Sequence, residues 1–193
     1  MHDADPIARF RASFDRAAAL EPFDATRAAF ATADHRGVPS VRFVLVKAVD
    51  ARGFVVFTNT ESQKGRELAE NPFAALSFHW ASTGEQVRVS GPVTCVSAPE
   101  ADAYFASRPR GSQLSAWASA QSTAVASRAE LVAQLQAAER RFTGADVTRP
   151  PHWTGYRIRP DRIEFWRDKP DRLHERNLYV RTDAGYTISL LSP

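Results

Sequence analysis

Near the end of this 193-residue chain, the stretch RLHERN puts Arg172, His174 and Arg176 at every second position. On a β-strand alternate side chains share a face, so these three groups point one way and Leu173 the other. A row of cationic or protonatable groups needs either an anion opposite it or open water. A solvated strand edge answers that need without any ligand. Other segments offer similar chemistry. Arg42 and Lys47 in VRFVLVK are five apart, so a regular strand turns them to opposite sides, where they could serve two different anions. In TNTESQKGREL the hydroxyls of Thr58 and Ser62, unpaired first-turn amides and Lys64 suit a phosphate, although a serine-capped helix need bind nothing. In AYFASRPRGSQ, Tyr104 and Arg108 align at i, i+4 on one helix face, the helix ends at Arg108-Pro109, and Ser112 follows in a turn. A phenol, a guanidinium and a hydroxyl converging on one point suit a phosphate monoester; the alternative is a helix end with solvated charges.

The composition narrows the classes. A net charge of +3 is too weak to argue for nucleic acid, and the positive groups fall at strand and helix ends rather than along one stripe. No apolar run is long enough for a membrane span and MHDADPIARF has no secretory features, so a cytoplasmic protein is expected. One cysteine, Cys95, rules out an internal disulfide, and its apolar setting in GPVTCVS predicts a buried, inert thiol. The five histidines are scattered, and HER at 174–176 lacks the second histidine of a zincin, so no metal is expected. Neither a dinucleotide-binding glycine turn, a P-loop nor a G-x-S-x-G elbow occurs.

The elements that must hold these residues are mostly strands. Asp5-Pro6 predicts a helix start, with Ile7, Phe10, Phe14 and Ala18 on its apolar face. From about residue 27, RAAFATAD, VPSVRFVLVKAVD, GFVVFTNT, AALSFHW and QVRVSGPVTCVS read as an antiparallel meander. Short helices are expected after Ser62 and Ser97, and a longer one from the capping box Ser127–Glu130 to about Phe142. TGYRIRP, RIEFWRD and a hairpin turning at Asp183-Ala184-Gly185 return the chain to strand. This pattern favours an antiparallel barrel with helices packed outside it.

In RFVLVK, GFVVFTN, SQKGRELAENPFAALSF, QVRVSGPV, YFASRPRGSQLSAWAS with its following QS, EFW and RLHER, in that order, the chain resembles the pyridoxine (pyridoxamine) 5′-phosphate oxidases from about Asp24 to Pro193. The resemblance implies a mainly β fold with α, an FMN-binding split β-barrel with peripheral helices. It implies a single domain over 1–193, with residues 1–23 a helical segment and a C-terminal dimerisation region. It implies a homodimer with shared sites that oxidises pyridoxine or pyridoxamine 5′-phosphate to pyridoxal 5′-phosphate with O₂, releasing hydrogen peroxide. Carried over by position, FMN is expected against Arg42, Phe57, Thr58, Gln63, Lys64, Gln86, Trp166 and Arg176, with Gln121 and Ser122 coming from the partner subunit. The substrate phosphate falls to Lys47, Tyr104, Arg108 and Ser112, while Arg172 and His174 lie over the substrate ring as the catalytic pair. Three positions depart from the family pattern: Gln63 stands where relatives often have arginine, Phe57 where they often have tyrosine, and only about 23 residues precede Asp24, which predicts a shortened lid.

Other readings compete with this one. The phenazine-biosynthesis oxidases share the barrel, the SQKGREL helix start and RLHER, but the phosphate set Lys47, Tyr104, Arg108 and Ser112 favours the vitamin substrate. A non-catalytic carrier of flavin or pyridoxal phosphate would bind without turnover.

Overall fold

The computed structural model describes residues 5–193. Its first element, α1 (Pro6–Leu20), starts where the sequence predicts: the Asp5 carboxylate accepts from the Ile7 amide at 2.8 Å, and Pro6 fills the first position. The buried face differs from expectation. Ile7, Phe10, Ser13 and Ala17 are buried, Phe14 is half-buried and Ala18 is exposed, because the helix rests on the barrel along i, i+3 steps. The Phe10 ring enters the barrel end, meeting Phe54 edge-on at 4.8 Å and Phe78 at 5.0 Å.

Six antiparallel strands form the barrel: β1 (Arg27–Ala33), β2 (Pro39–Asp50), β3 (Gly53–Asn59), β4 (Phe73–Trp80), β5 (Glu85–Cys95) and β6 (Trp153–Ile158). β4 pairs with both β1 and β5 and so closes the cylinder in the order β4-β1-β2-β3-β6-β5. Phe30, Phe54, Phe78, Trp80, Val87 and Ile158 fill its interior. β7 (Arg162–Arg167), β8 (Glu175–Thr182) and β9 (Gly185–Leu191) extend the sheet outward from β5.

β5 changes partner along its length. Residues 85–90 pair with β7, whereas Val93, Thr94 and Cys95 pair with β6. The switch falls at Gly91-Pro92, where the β6–β7 connection crosses so closely that a Cβ on Gly91 would sit 2.0 Å from the Arg159 carbonyl oxygen. Past this kink the simple alternation is lost: Val93 and Val96 turn inward, and Thr94 and Cys95 both face out. The thiol is therefore exposed, contrary to the buried cysteine that the apolar run predicts.

Outside the barrel lie α2 (Gln63–Glu70), α3 (Ala98–Ser107), α4 (Arg110–Ala118) and α5 (Arg128–Arg141). α4 replaces the turn expected around Ser112. Its lack of a capping side chain and its Pro109 start hid it from the sequence pattern. α5 begins at the expected capping box, with Ser127 Oγ accepting from the Glu130 amide at 3.2 Å and the Glu130 carboxylate accepting from Ala126 N at 3.0 Å. A second core of Phe105, Leu114, Ala138, Phe142, Val147 and Trp153 joins α3, α4 and α5 to β6.

Because Phe10 is 2% exposed and packs on three rings from two strands, Phe10→Ala should cost about 3–5 kcal/mol in chemical denaturation. A loss under ~1 kcal/mol would show that α1 rests on the barrel without being part of its core.

Candidate active site

β2, β3, α2, α3 and α4 wall a cavity of about 580 Å³. Its lining includes Arg42, Lys47, Phe57, Thr58, Lys64, Tyr104, Arg108, Ser112 and Gln121, all singled out in the sequence, together with Trp153, which was not. Arg42 and Lys47 reach one cavity despite their odd spacing. The β2–β3 register shifts between Val46 and Ala48, so Lys47 sits at a bulge that regular alternation does not anticipate.

The Lys64 ammonium is buried and donates to Gln121 Oε1 at 3.1 Å, and to Thr58 Oγ1 and Ser62 Oγ at 3.3 Å. All three acceptors are neutral. Burial, reinforced by the charge of Arg42 and only partly opposed by Glu67, lowers the Lys64 pKa below the ordinary lysine value. Gln121 makes these contacts within its own chain. The loop after α4 folds back onto β3, with Asn59 Nδ2 donating to the Ser119 carbonyl at 3.4 Å and Thr58 Oγ1 to Gln121 Oε1 at 3.0 Å. Ser122 turns away, exposed and in the left-handed region at φ 70°.

Arg42 is held from behind by a polar cluster. Its Nη1 donates to Thr32 Oγ1 at 2.6 Å, and its Nη2 lies 3.3 Å from Glu67 Oε2. Ser40 and Thr32 also donate to the Glu67 carboxylate. Burial alone would raise the Glu67 pKa, but these hydrogen bonds and the Arg42 charge outweigh it and hold the carboxyl ionised. Gln63 belongs to this cluster and does not line the cavity, since its Nε2 donates to Glu67 Oε1 at 2.9 Å. Glu67 was missed in the sequence because an acidic residue inside a short, polar helix reads as surface.

Three nearly parallel rings form an aromatic stack beside the cations. Phe57 lies 4.0 Å from Tyr104 and 5.3 Å from Trp153, centroid to centroid. Gly155, opposite Phe57 in the β3–β6 pairing, makes room for it, since a Cβ there would come within 2.7 Å of the Phe57 ring. The Arg108 guanidinium lies over the Trp153 ring at 4.9 Å. Its buried Nη1 has no hydrogen-bond partner among the described residues. Burial lowers the Arg108 pKa and raises that of Tyr104.

The remaining candidates lie elsewhere. Gln86, Trp166 and Arg176 stand directly across from one another on β5, β7 and β8. Arg172 and His174 do not share a strand face with Arg176. β8 begins only at Glu175, Arg172 closes a 3₁₀ turn at Pro170–Arg172, and both Asp171 and Arg172 have positive φ. Proline at 170 favours the turn over the extended run that alternation implies. His174 packs on Trp166 at 4.6 Å, with Nδ1 3.1 Å from Asp168 Oδ1. The anion opposite Arg176 is internal: Nε donates at 2.9 Å to buried Glu164, which also pairs with Arg88. None of Gln86, Trp166, Arg172, His174 and Arg176 lines the cavity around Arg42.

Among the described residues no group of three or more His, Cys, Asp or Glu converges, and no helix is long and apolar enough to cross a membrane.

The structure is thus a six-stranded split barrel with a cluster of cations in a cavity at its side, and comparison with known proteins places it further. A family model described as pyridoxamine 5′-phosphate oxidase matches residues 17–143, and one for the pyridoxine 5′-phosphate oxidase C-terminal dimerisation region matches residues 153–193. A pyridoxine/pyridoxamine 5′-phosphate oxidase from Anaeromyxobacter dehalogenans is 59% identical over 98% of this chain and 96% of its own length. One from Myxococcus xanthus is 51% identical over 98% and 92%. Among solved structures, PhzG from Burkholderia lata 383, in complex with tetrahydrophenazine-1-carboxylic acid, has a TM-score of 0.91 at 31% identity, covering 100% of this chain and 94% of that one. A pyridoxamine 5′-phosphate oxidase-related, FMN-binding protein from Nostoc punctiforme shares the fold with a TM-score of 0.78 at 17% identity, over 98% of both chains. The chain belongs to the pyridoxamine 5′-phosphate oxidase family.

If the Lys64 ammonium holds an anion, that binding is complete below its lowered pKa and is lost as pH rises through it. FMN affinity, followed by quenching of flavin fluorescence, should therefore weaken at a pH below the ordinary lysine range in the wild type, and Lys64→Arg should flatten the decline. Parallel declines in both proteins would exclude Lys64 as the source.

Proposed function

We infer that this protein is an FMN-dependent oxidase converting pyridoxine and pyridoxamine 5′-phosphate to pyridoxal 5′-phosphate. The observation that carries the substrate class is the half-buried Arg108 guanidinium, whose buried Nη1 has no partner among the described residues and which shares a cavity with Lys47, Tyr104 and Ser112. A phosphate monoester supplies the charge and acceptors these groups lack. The residues also fit FMN. Lys64 is a buried ammonium with only neutral partners, Arg42 is fixed beside it, and the cavity carries flat aromatic walls.

When bound, FMN accepts a hydride from the substrate carbon and passes the electrons to O₂, giving hydrogen peroxide. The chain's own residues bind, orient and manage the proton. Lys47, Tyr104, Arg108 and Ser112 anchor the phosphate and so fix where the reacting carbon lies. Oxidation of the alcohol or amine also releases a proton from its oxygen or nitrogen. His174 is suited to take it, because its ring packs on Trp166 and lies 3.1 Å from the Asp168 carboxylate, which would stabilise the imidazolium formed. Arg172, in the strained turn beside it, supplies positive charge near the substrate ring.

The two groups of residues meet through a second copy of the chain. The Arg42 cavity and the row of Gln86, Trp166 and Arg176 lie on separate parts of one chain. β2 exposes Val41 and Phe43 at 69% and 73% beside Arg42, an apolar strip suited to a homodimer contact. A second reading follows from the likeness to PhzG, whose bound ligand is a reduced tricyclic carboxylate; the phosphate set argues for the phosphorylated pyridine instead.

Mixing FMN-loaded protein anaerobically with pyridoxine or pyridoxamine 5′-phosphate should bleach the flavin absorbance, and air should restore it. A flavin that stays yellow with both would overturn the substrate assignment. For the shared site, Arg108→Ala and Arg172→Ala homodimers should each be nearly inactive, and unfolding and refolding them together should recover roughly a quarter of wild-type activity, since random pairing rebuilds one intact site per heterodimer. No recovery in a verified heterodimer would place both residues in one subunit's site.

A further inference from the structure

We propose that Trp153 is a positioning residue that makes the site selective for phosphorylated over unphosphorylated ligands, by holding the Arg108 guanidinium in place without neutralising it. The proposal rests on the reading of Arg108 as the phosphate anchor. A buried arginine is ordinarily fixed by a carboxylate, as Arg157 is here by Asp50 and Glu100 at 2.8 and 2.5 Å. Arg108 has no such partner: among the described residues no ion pair and no side-chain hydrogen bond reaches its guanidinium, and Nη1 is buried. Its position is set by aromatic faces instead, with Trp153 at 4.9 Å and Phe105 at 5.5 Å.

Indole suits this task. Its face attracts a cation more strongly than any other side-chain ring, yet carries no net charge that would compete with an incoming phosphate. A carboxylate in the same place would hold the arginine equally firmly and repel the ligand. The ring itself is immobile. Trp153 is 6% exposed, lies parallel to Phe57 at 5.3 Å, and meets Phe105 edge-on at 5.1 Å. Its backbone is fixed as well, its carbonyl accepting from Arg149 Nη1 at 2.7 Å. Trp153 thus presents Arg108 in a fixed orientation with its donors still unused. One faint signal of this is legible in the chain, a tryptophan two residues before the glycine of a strand.

The test compares equilibrium binding of pyridoxal 5′-phosphate and of pyridoxal to FMN-loaded wild type, Trp153→Phe and Trp153→Leu. Trp153→Leu should weaken pyridoxal 5′-phosphate about ten-fold or more and leave pyridoxal within about two-fold, and Trp153→Phe, which retains a weaker ring face, should fall between. In steady state the same variants should raise KM for the phosphorylated substrate more than they lower kcat. Equal weakening of both ligands, or unchanged selectivity in a folded variant, would overturn the assignment and reduce Trp153 to packing. Trp153→Phe preserves the core and decides the matter if the leucine variant does not fold, since wild-type selectivity there would count against the proposal. A wild type that does not prefer the phosphorylated ligand would overturn the functional reading, and this one with it; a preference lost only on Arg108→Ala would overturn this one alone.

Discussion

The change of partner along β5 is the constraint on which the rest of the structure depends. A strand that paired with β6 throughout would make an ordinary closed barrel with no place for β7. By releasing β6 at Gly91-Pro92 and taking up β7, β5 closes the barrel at one end and founds an outer sheet at the other. Gly91 makes the crossing sterically feasible, because any side chain there would collide with the Arg159 carbonyl. The Gln86–Trp166–Arg176 row exists only because β7 and β8 are attached here, and its separation from the Arg42 cavity follows from the same switch.

Charge is handled differently in the two places. Outside the cavity, buried carboxylates are neutralised by arginines nearer the surface: Glu85 lies between Arg16 and Arg167, and Glu164 between Arg88 and Arg176. Inside it, Lys64 meets only neutral oxygens and Arg108 only rings. Desolvated, uncompensated cations cost stability in the free protein, and binding an anion returns that cost. Arg42 is intermediate, held by Glu67 but open to the cavity along its edge.

The sequence made the strands and caps legible because those signals are local. β1 to β9 follow the apolar and β-branched runs, and Asp5, Ser62, Ser97 and Ser127 each cap the helix expected after them. The cavity lining was visible as residue types, with positions supplied largely by the family resemblance. What stayed hidden was tertiary. The bulge at Lys47, the outward turn of Cys95 and the contact of Gln121 with Thr58 each depend on a strand or loop meeting a distant segment. The alternation in RLHERN misled for the opposite reason, since a pattern of period two carries no information about Pro170 ending the extended run before it.

The way α1 is attached has a consequence for how the molecule opens. Phe10 is enclosed by rings of β3 and β4, so its helix has no route off the barrel that leaves those strands intact. α5 is held by little beyond Ala138 and half-buried Leu135, with Leu131 and Val132 facing outward. Amide hydrogens of α1 therefore exchange with solvent only when the whole domain unfolds, while those of α5 exchange through local openings that leave the barrel closed. The two helices outside the barrel, alike in length, belong to different cooperative units.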